Sequence, residues 1–135
     1  TSLTMQSLAD YDDVVDEVIR YFEMFSVKAA DAGISRWMMD PGFGFAKTLE
    51  QNYALLSGLP SLREASAAWT LQPSRLLVGV SRKSMIYKPL GISPEDSLAA
   101  TQVVHLAALQ NGADILRVHD PAEAFRTLSL YRLLG

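Results

Sequence analysis

Three short, nearly continuous apolar runs punctuate a chain that is otherwise helical in pattern: Arg36-Trp37-Met38-Met39-Asp40, Arg75-Leu76-Leu77-Val78-Gly79-Val80 and Asp114-Ile115-Leu116-Arg117-Val118. Parallel strands covered on both sides read as continuous hydrophobic runs, so each run predicts a strand buried on both faces. Around them the apolar positions recur at helical spacing. A first helix is predicted from about Asp10 to Ala32, with Val14, Val15, Val18, Ile19, Phe22 and Phe25 on one face. Asp10 would cap it and Gly33 would stop it. Leu49 to Trp69 is helical in pattern but broken at Gly58 and Pro60, and Thr70 to Ser74 reads as a loop.

Later punctuation is clearer. Ser93-Pro94-Glu95-Asp96 sets a capping residue before a proline at the first helical position, with acids in the first turn. Val103, Val104, Ala107 and Ala108 form the expected stripe of that helix, and Gly112 ends it. Asp120-Pro121-Ala122-Glu123 approximates a capping box for the last helix, whose Leu128, Leu130, Tyr131 and Leu134 include positions that must stay exposed or meet a partner. The order α-β-α-β-α-β-α, with strands about 40 residues apart, fits right-handed βα units in one α/β domain over residues 1–135. A complete (β/α)8 barrel takes roughly 250 residues. The pattern therefore leaves two architectures open, a small doubly wound domain or part of a barrel.

Composition excludes more than it selects. A hydrophobic fraction of 49% and a charged fraction of 20% are those of an ordinary globular domain. The net charge of -3 and the scatter of the 12 Lys and Arg residues argue against nucleic acid as a partner. Without cysteine there is no disulfide or thiolate metal site. No apolar run nears the roughly 18 residues of a membrane span, and the N-terminus lacks a signal-peptide pattern. The expectation is a soluble, cytoplasmic protein. A start at Thr1 instead of methionine is expected of a processed or shortened product.

In parallel βα folds, ligands sit at the carboxyl ends of the strands, where loops and helix N-termini converge. The unusual polar residues of this chain follow the ends of the three runs: Asp40-Pro41-Gly42-Phe43-Gly44-Phe45, then Gly79 with Ser81-Arg82-Lys83-Ser84, then Arg117-Val118-His119-Asp120. Asp40 before Pro41 reads equally as a turn former and as a carboxylate able to accept two parallel N–H bonds. Gly79 within a strand implies close approach of another group. Ser84 suits a helix N-cap, and the segment before it lies where free backbone N–H groups bind anions. Arg117 inside an apolar run is too costly to leave unpaired. Strand alternation would turn it the same way as His119, a pairing suited to phosphate or pyrophosphate. Asp120 reads as the cap of the last helix, and His105 as a surface or packing residue.

Together, Asp-Pro-Gly-Phe-Gly-Phe at 40–45, Gly-Val-Ser-Arg-Lys-Ser at 79–84 and Arg-Val-His-Asp at 117–120 resemble, in order and spacing, the motifs of the dihydropteroate synthase family. Thr4-Met5-Gln6 and Asn52-Tyr53-Ala54-Leu55-Leu56 are similar to it as well. The resemblance implies the last three parallel strands, with their helices, of a partial (β/α)8 TIM barrel. It implies that Asp40 holds the amino-pyrimidine edge of a pterin, that Lys83 bonds the ring near its carbonyl, and that Arg117 stacks over it. Phe45 and Gly79 would shape the slot. Ser81 and Ser84 would lie near para-aminobenzoate, and His119 with Arg117 would contact the leaving pyrophosphate. Lys83, Arg117 and His119 are thus the expected catalytic residues.

By the same resemblance the substrates are 6-hydroxymethyl-7,8-dihydropterin pyrophosphate and para-aminobenzoate, with Mg2+ as cofactor. The magnesium-holding asparagine would lie among five earlier strands, so no metal ligand is expected in this chain. Thr1 would fall in the loop after the fifth strand, and the chain alone is expected to be inactive. A homodimer through the later helices is implied too. Two other readings stand beside this one: a pterin module of the methyltetrahydrofolate methyltransferase type, and a non-catalytic half-barrel assembly unit. The first has no pyrophosphate to release, which counts the Arg117 and His119 pair against it.

Overall fold

The computed structural model describes residues 2–44 and 46–135, with side chains from Asp13 onward. Nothing in Leu3–Ala9 opposes a helix, and α1 accordingly runs Ser2–Asp31. Asp10 is therefore inside the helix instead of capping it, and the loop expected at the start of the chain is helical from Ser2. Val14 and Val15 are buried, and Val18, Ile19, Phe22 and Phe25 pack against the core, as the stripe predicts. The helix stops as expected: Gly33 adopts a φ of 82°. Its N–H bonds Ala30 at 3.1 Å, and Ile34 reaches back to Ala29 at 2.9 Å.

The first apolar run forms β1 (Met38–Met39), followed by α2 (Leu49–Ser57) and α3 (Leu59–Ser66), split at Gly58 as the pattern predicts. Then come β2 (Arg75–Val78), α4 (Ser84–Leu90), a 3-10 turn (Pro94–Asp96), α5 (Leu98–Gln110), β3 (Ile115–Leu116) and α6 (Pro121–Leu134). The strands are parallel and ordered β1-β2-β3, with Met39 opposite Leu76 and Val78 opposite Leu116. Neighbour order follows chain order without reversal. That is barrel-type winding, not a doubly wound sheet with its switch point.

The strands differ from expectation in one respect: only one of their faces is buried. Met39, Leu76 and Val78 enter a core with Leu55, Leu56 and Leu59 of α2 and α3, Met85 and Ile86 of α4, and Val104 of α5. Trp37 joins it, stacking on Trp69 with ring centroids 6.4 Å apart and donating its indole N–H to Leu71. On the other face Met38 is 54% exposed, and Leu77 and Ile115 are half-exposed. Residues made to be covered twice are covered once, because the helices lie on a single side.

Helix details also shift. The buried side of α5 is Thr101, Val104, His105 and Ala108, while Val103 is 70% exposed. A helix apolar nearly all round gives its stripe no phase, so spacing alone misassigned Val103. Ser93 precedes only the 3-10 turn and donates to Asp96. Asp120 stands at the N-cap of α6 but makes no capping bond.

Candidate functional site

The loop after β1 carries Asp40, and the turn reading of that residue holds. Its Oδ1 accepts the Gly42 N–H at 3.0 Å, closing a turn. Its Oδ2 faces Nη1 of Arg117 at 3.6 Å, an ion pair too long to be a hydrogen bond. Arg117 follows β3 and crosses β2 to get there. It passes over Gly79, where a Cβ would lie 2.6 Å from Nη2. The missing side chain is therefore what lets a guanidinium lie flat on the strand end.

Lys83 comes in from the loop after β2. Its ammonium donates to the carbonyl of Phe43 in the β1 loop. Burial and then the nearby Arg117 charge hold its pKa below the usual lysine value, with Asp40 acting in the opposite direction. Lys83 occupies the N-cap position of α4, and Ser84 is the first residue inside that helix, contrary to the expectation that Ser84 caps it. Ser84 stays half-buried at the edge of a hollow of about 350 Å³ that it shares with Lys47, Asn52 and Lys88.

Other predicted residues are placed differently. Ser81 is buried, and its hydroxyl accepts the backbone N–H of His119 at 3.2 Å, so it supports the neighbouring loop instead of facing open space. His119 lies at an exposed bend beyond β3, past the reach of strand alternation. Arg82, counted among the site cations, forms an ion pair with Asp120. That bond is the main cause raising its pKa and lowering that of Asp120. Phe45 lies outside the described residues.

Two residues that carry the site were not singled out for it by sequence reasoning. Asn52, buried in α2, grips both backbone groups of Gly44: its Oδ1 accepts the Gly44 N–H and its Nδ2 donates to the Gly44 carbonyl, each at 3.1 Å. Lys47 donates to the Gly42 carbonyl. The signal for Asn52 was present, a polar residue in register with buried Leu55, Leu56 and Leu59. A cleft of about 540 Å³ between α1 and the β1 loop has Asp40 and Lys47 on its wall, with Glu17, Tyr21 and Phe22 opposite. Lys83, Arg117 and His119 do not line it, so the cleft adjoins the motif residues without enclosing them.

A carboxylate, an amine and a guanidinium thus stand at the carboxyl ends of three adjacent parallel strands, the end at which barrel folds hold their ligands. A family model described as "Pterin binding enzyme" matches residues 1–119, and the chain belongs to that family. It is 39% identical over 127 residues to dihydropteroate synthase of Escherichia coli strain K12, covering 93% of this chain and 43% of that protein. Among solved structures, Yersinia pestis DHPS with a pterine-sulfa conjugate superposes with a TM-score of 0.81 at 34% identity, covering 91% of this chain and 46% of that one. Thermus thermophilus dihydropteroate synthase in complex with 4-aminobenzoate gives 0.79 at 35% identity, with coverages of 90% and 47%. The chain thus spans a little under half the length of these relatives, and its fold is part of their barrel.

Proposed function

We propose that this chain supplies the pterin-holding side of a dihydropteroate synthase, a transferase. The observation that carries the reading is the Asp40–Arg117 pair across Gly79, with the Lys83 amine beside it. Its relatives are named for this activity, and their structures hold pterin-type and 4-aminobenzoate ligands. On this reading the Asp40 carboxylate accepts the paired N–H groups of the amino-pyrimidine edge. Lys83 donates toward the ring carbonyl, Arg117 lies over the ring, and Gly79 and Phe45 set the slot. Ser84 lies near the para-aminobenzoate carboxylate, and Ser81 holds the backbone of His119 beside the leaving pyrophosphate.

The aryl amine nitrogen of para-aminobenzoate attacks the exocyclic methylene of 6-hydroxymethyl-7,8-dihydropterin pyrophosphate. A C–N bond forms, and the C–O bond breaks with its electron pair leaving on pyrophosphate. The amine then loses a proton, giving 7,8-dihydropteroate. Arg117 and His119 neutralise the leaving charge, and the remainder of catalysis is the positioning of two flat substrates. Magnesium would add charge stabilisation on the pyrophosphate. On this reading its ligand is the asparagine of an earlier barrel strand that the family resemblance implies, and no residue of this chain is assigned to it.

Alone, the chain is proposed to be inactive, cytoplasmic and homodimeric through α5 and α6. No described helix is long and apolar enough to cross a membrane. The test is a calorimetric titration of the chain with 6-hydroxymethylpterin beside an Asp40→Asn variant, with dihydropteroate formation assayed in parallel. Binding lost in the variant supports the reading. Binding by neither folded protein removes it, and dihydropteroate made by the chain alone overturns its proposed inactivity.

A further inference from the structure

Three consecutive residues after β2 are each tied to a different part of the site. Ser81 holds the His119 N–H beyond β3, and Lys83 holds the Phe43 carbonyl beyond β1. Between them Arg82 has a φ of 55°, a left-handed conformation that is uncommon and strained for a residue with a Cβ. Its guanidinium uses four bonds: Nε and Nη2 donate to the two oxygens of Asp120 at 2.8 and 2.9 Å, and Nη1 donates to the carbonyls of Pro94 and Glu95 at 3.0 Å each. The Arg82 backbone N–H donates to the buried hydroxyl of Thr101 at 3.1 Å. Asp120, at the start of α6, makes no side-chain cap bond, and both of its oxygens go to Arg82.

We infer that Arg82 and Asp120 are positioning residues, a latch that sets the separation of Lys83 and His119. Arg82 immediately precedes Lys83, and Asp120 immediately follows His119, so a rigid bond between the inner pair fixes the two flanking residues across the strand ends. Most of each latch side chain is covered, with 22% of Arg82 and 20% of Asp120 exposed. The planar guanidinium fork is essential, because a lysine cannot meet both carboxylate oxygens and two carbonyls in one plane. The functional consequence rests on the reading of Lys83 and His119 given above. The latch itself does not.

The test uses Arg82→Lys, Arg82→Gln, Asp120→Asn and the double variant Arg82→Gln/Asp120→Asn, read by amide hydrogen exchange in NMR and by titration with 6-hydroxymethylpterin. Exchange at the His119 N–H should rise about tenfold or more in every variant while the Leu76 and Val78 amides keep their protection. The double variant should be no worse than either single change, as coupled partners require. Pterin affinity should fall in parallel. Unchanged His119 protection in any folded variant, or wild-type behaviour of Arg82→Lys, would overturn the latch. Asp120→Asn is nearly isosteric, so it decides the matter if the Arg82 variants fail to fold. A wild-type chain that ignores the pterin while His119 responds as described sinks the functional reading and leaves the latch standing.

Discussion

Nη1 of Arg117 stands 3.6 Å from Oδ2 of Asp40, and the guanidinium reaches it only by lying over the bare backbone of Gly79. The contact links β3 to the loop after β1 across the intervening strand, with Arg117 largely open to water and Asp40 partly so. It is therefore worth little as an ion pair. On the proposed reading its use is geometric, in holding a carboxylate and a guanidinium at a set distance where a pterin would reach both.

Gly79→Ala tests that geometry. The new methyl group would meet the far end of a flexible side chain at 2.6 Å, so Arg117 must swing aside while the backbone stays. Stability should change by no more than about 1 kcal/mol, whereas affinity for 6-hydroxymethylpterin should drop about tenfold. Thermal denaturation and calorimetry on one preparation read both quantities. A variant that binds as tightly as the parent would show that Arg117 does not act from this position.

Asp40→Asn separates the turn from the ligand role. An asparagine oxygen still accepts the Gly42 N–H, so the turn should persist and the denaturation midpoint should barely move. Binding of the pterin should nonetheless be lost, since an amide cannot accept two N–H bonds as a carboxylate does. A variant with reduced stability and retained binding would assign Asp40 to the turn alone.

Asn52→Leu keeps the volume of the side chain and removes both bonds to Gly44. An amide and a carbonyl of the β1 loop are left without their partner, at a cost of about 2 kcal/mol for groups that are only part-buried. Chemical denaturation should show that loss, and proteolysis should cut the loop after β1 sooner. Wild-type stability would mean that water takes over both bonds.

His105 makes the fold acid-sensitive. It is fully buried in α5, with Nδ1 3.1 Å from the side-chain Oε1 of Gln102 and Nε2 without a partner among the described residues. Burial lowers its pKa from the ordinary 6.5. The unfolded chain therefore takes up a proton that the folded one refuses. Stability should be full above about pH 6.5 and decline below it, so that it falls between about pH 7.5 and 5.5. Denaturation midpoints across that range should slope in the parent and flatten in His105→Leu. An equal slope in both would exclude His105 as the cause.

The proposed dimer is testable on α6. Phe125 is 66% and Leu133 82% exposed there, beside Val103 of α5, which is more apolar surface than a solvated helix pair needs. Sedimentation should give a dimer for the parent chain and a monomer for Phe125→Glu/Leu133→Glu. A monomeric parent would leave that surface without a second copy.

The order of elements, the parallel strands and the three strand-end motifs were all legible along the chain, because each depends on local period and punctuation. Asp40, Lys83 and Arg117 were named from their place after apolar runs, and Asp40 and Arg117 do pair, with Lys83 close enough to feel both charges. What the pattern could not carry was facing. Met38, Leu77 and Ile115 read as core residues, yet Met38 is exposed and Leu77 and Ile115 only half-buried, since burial depends on which elements lie alongside and not on a residue's own polarity. In α5, nearly uniform apolarity hid which side turns inward, and Val103 was misplaced for that reason.

The polar ties were equally invisible. Arg82 and Asp120 are 38 residues apart, as are Ser81 and His119, and a sequence gives no sign that such residues share bonds. By itself, then, the chain determined its α/β order, its family motifs and the types of group at the strand ends, all set by short-range chemistry. The tertiary structure alone decided which groups stand open at the strand ends and which hold the others in place. Hydrogen bonds between loops are set by the packing of whole βα units, and that packing is written nowhere in a local pattern.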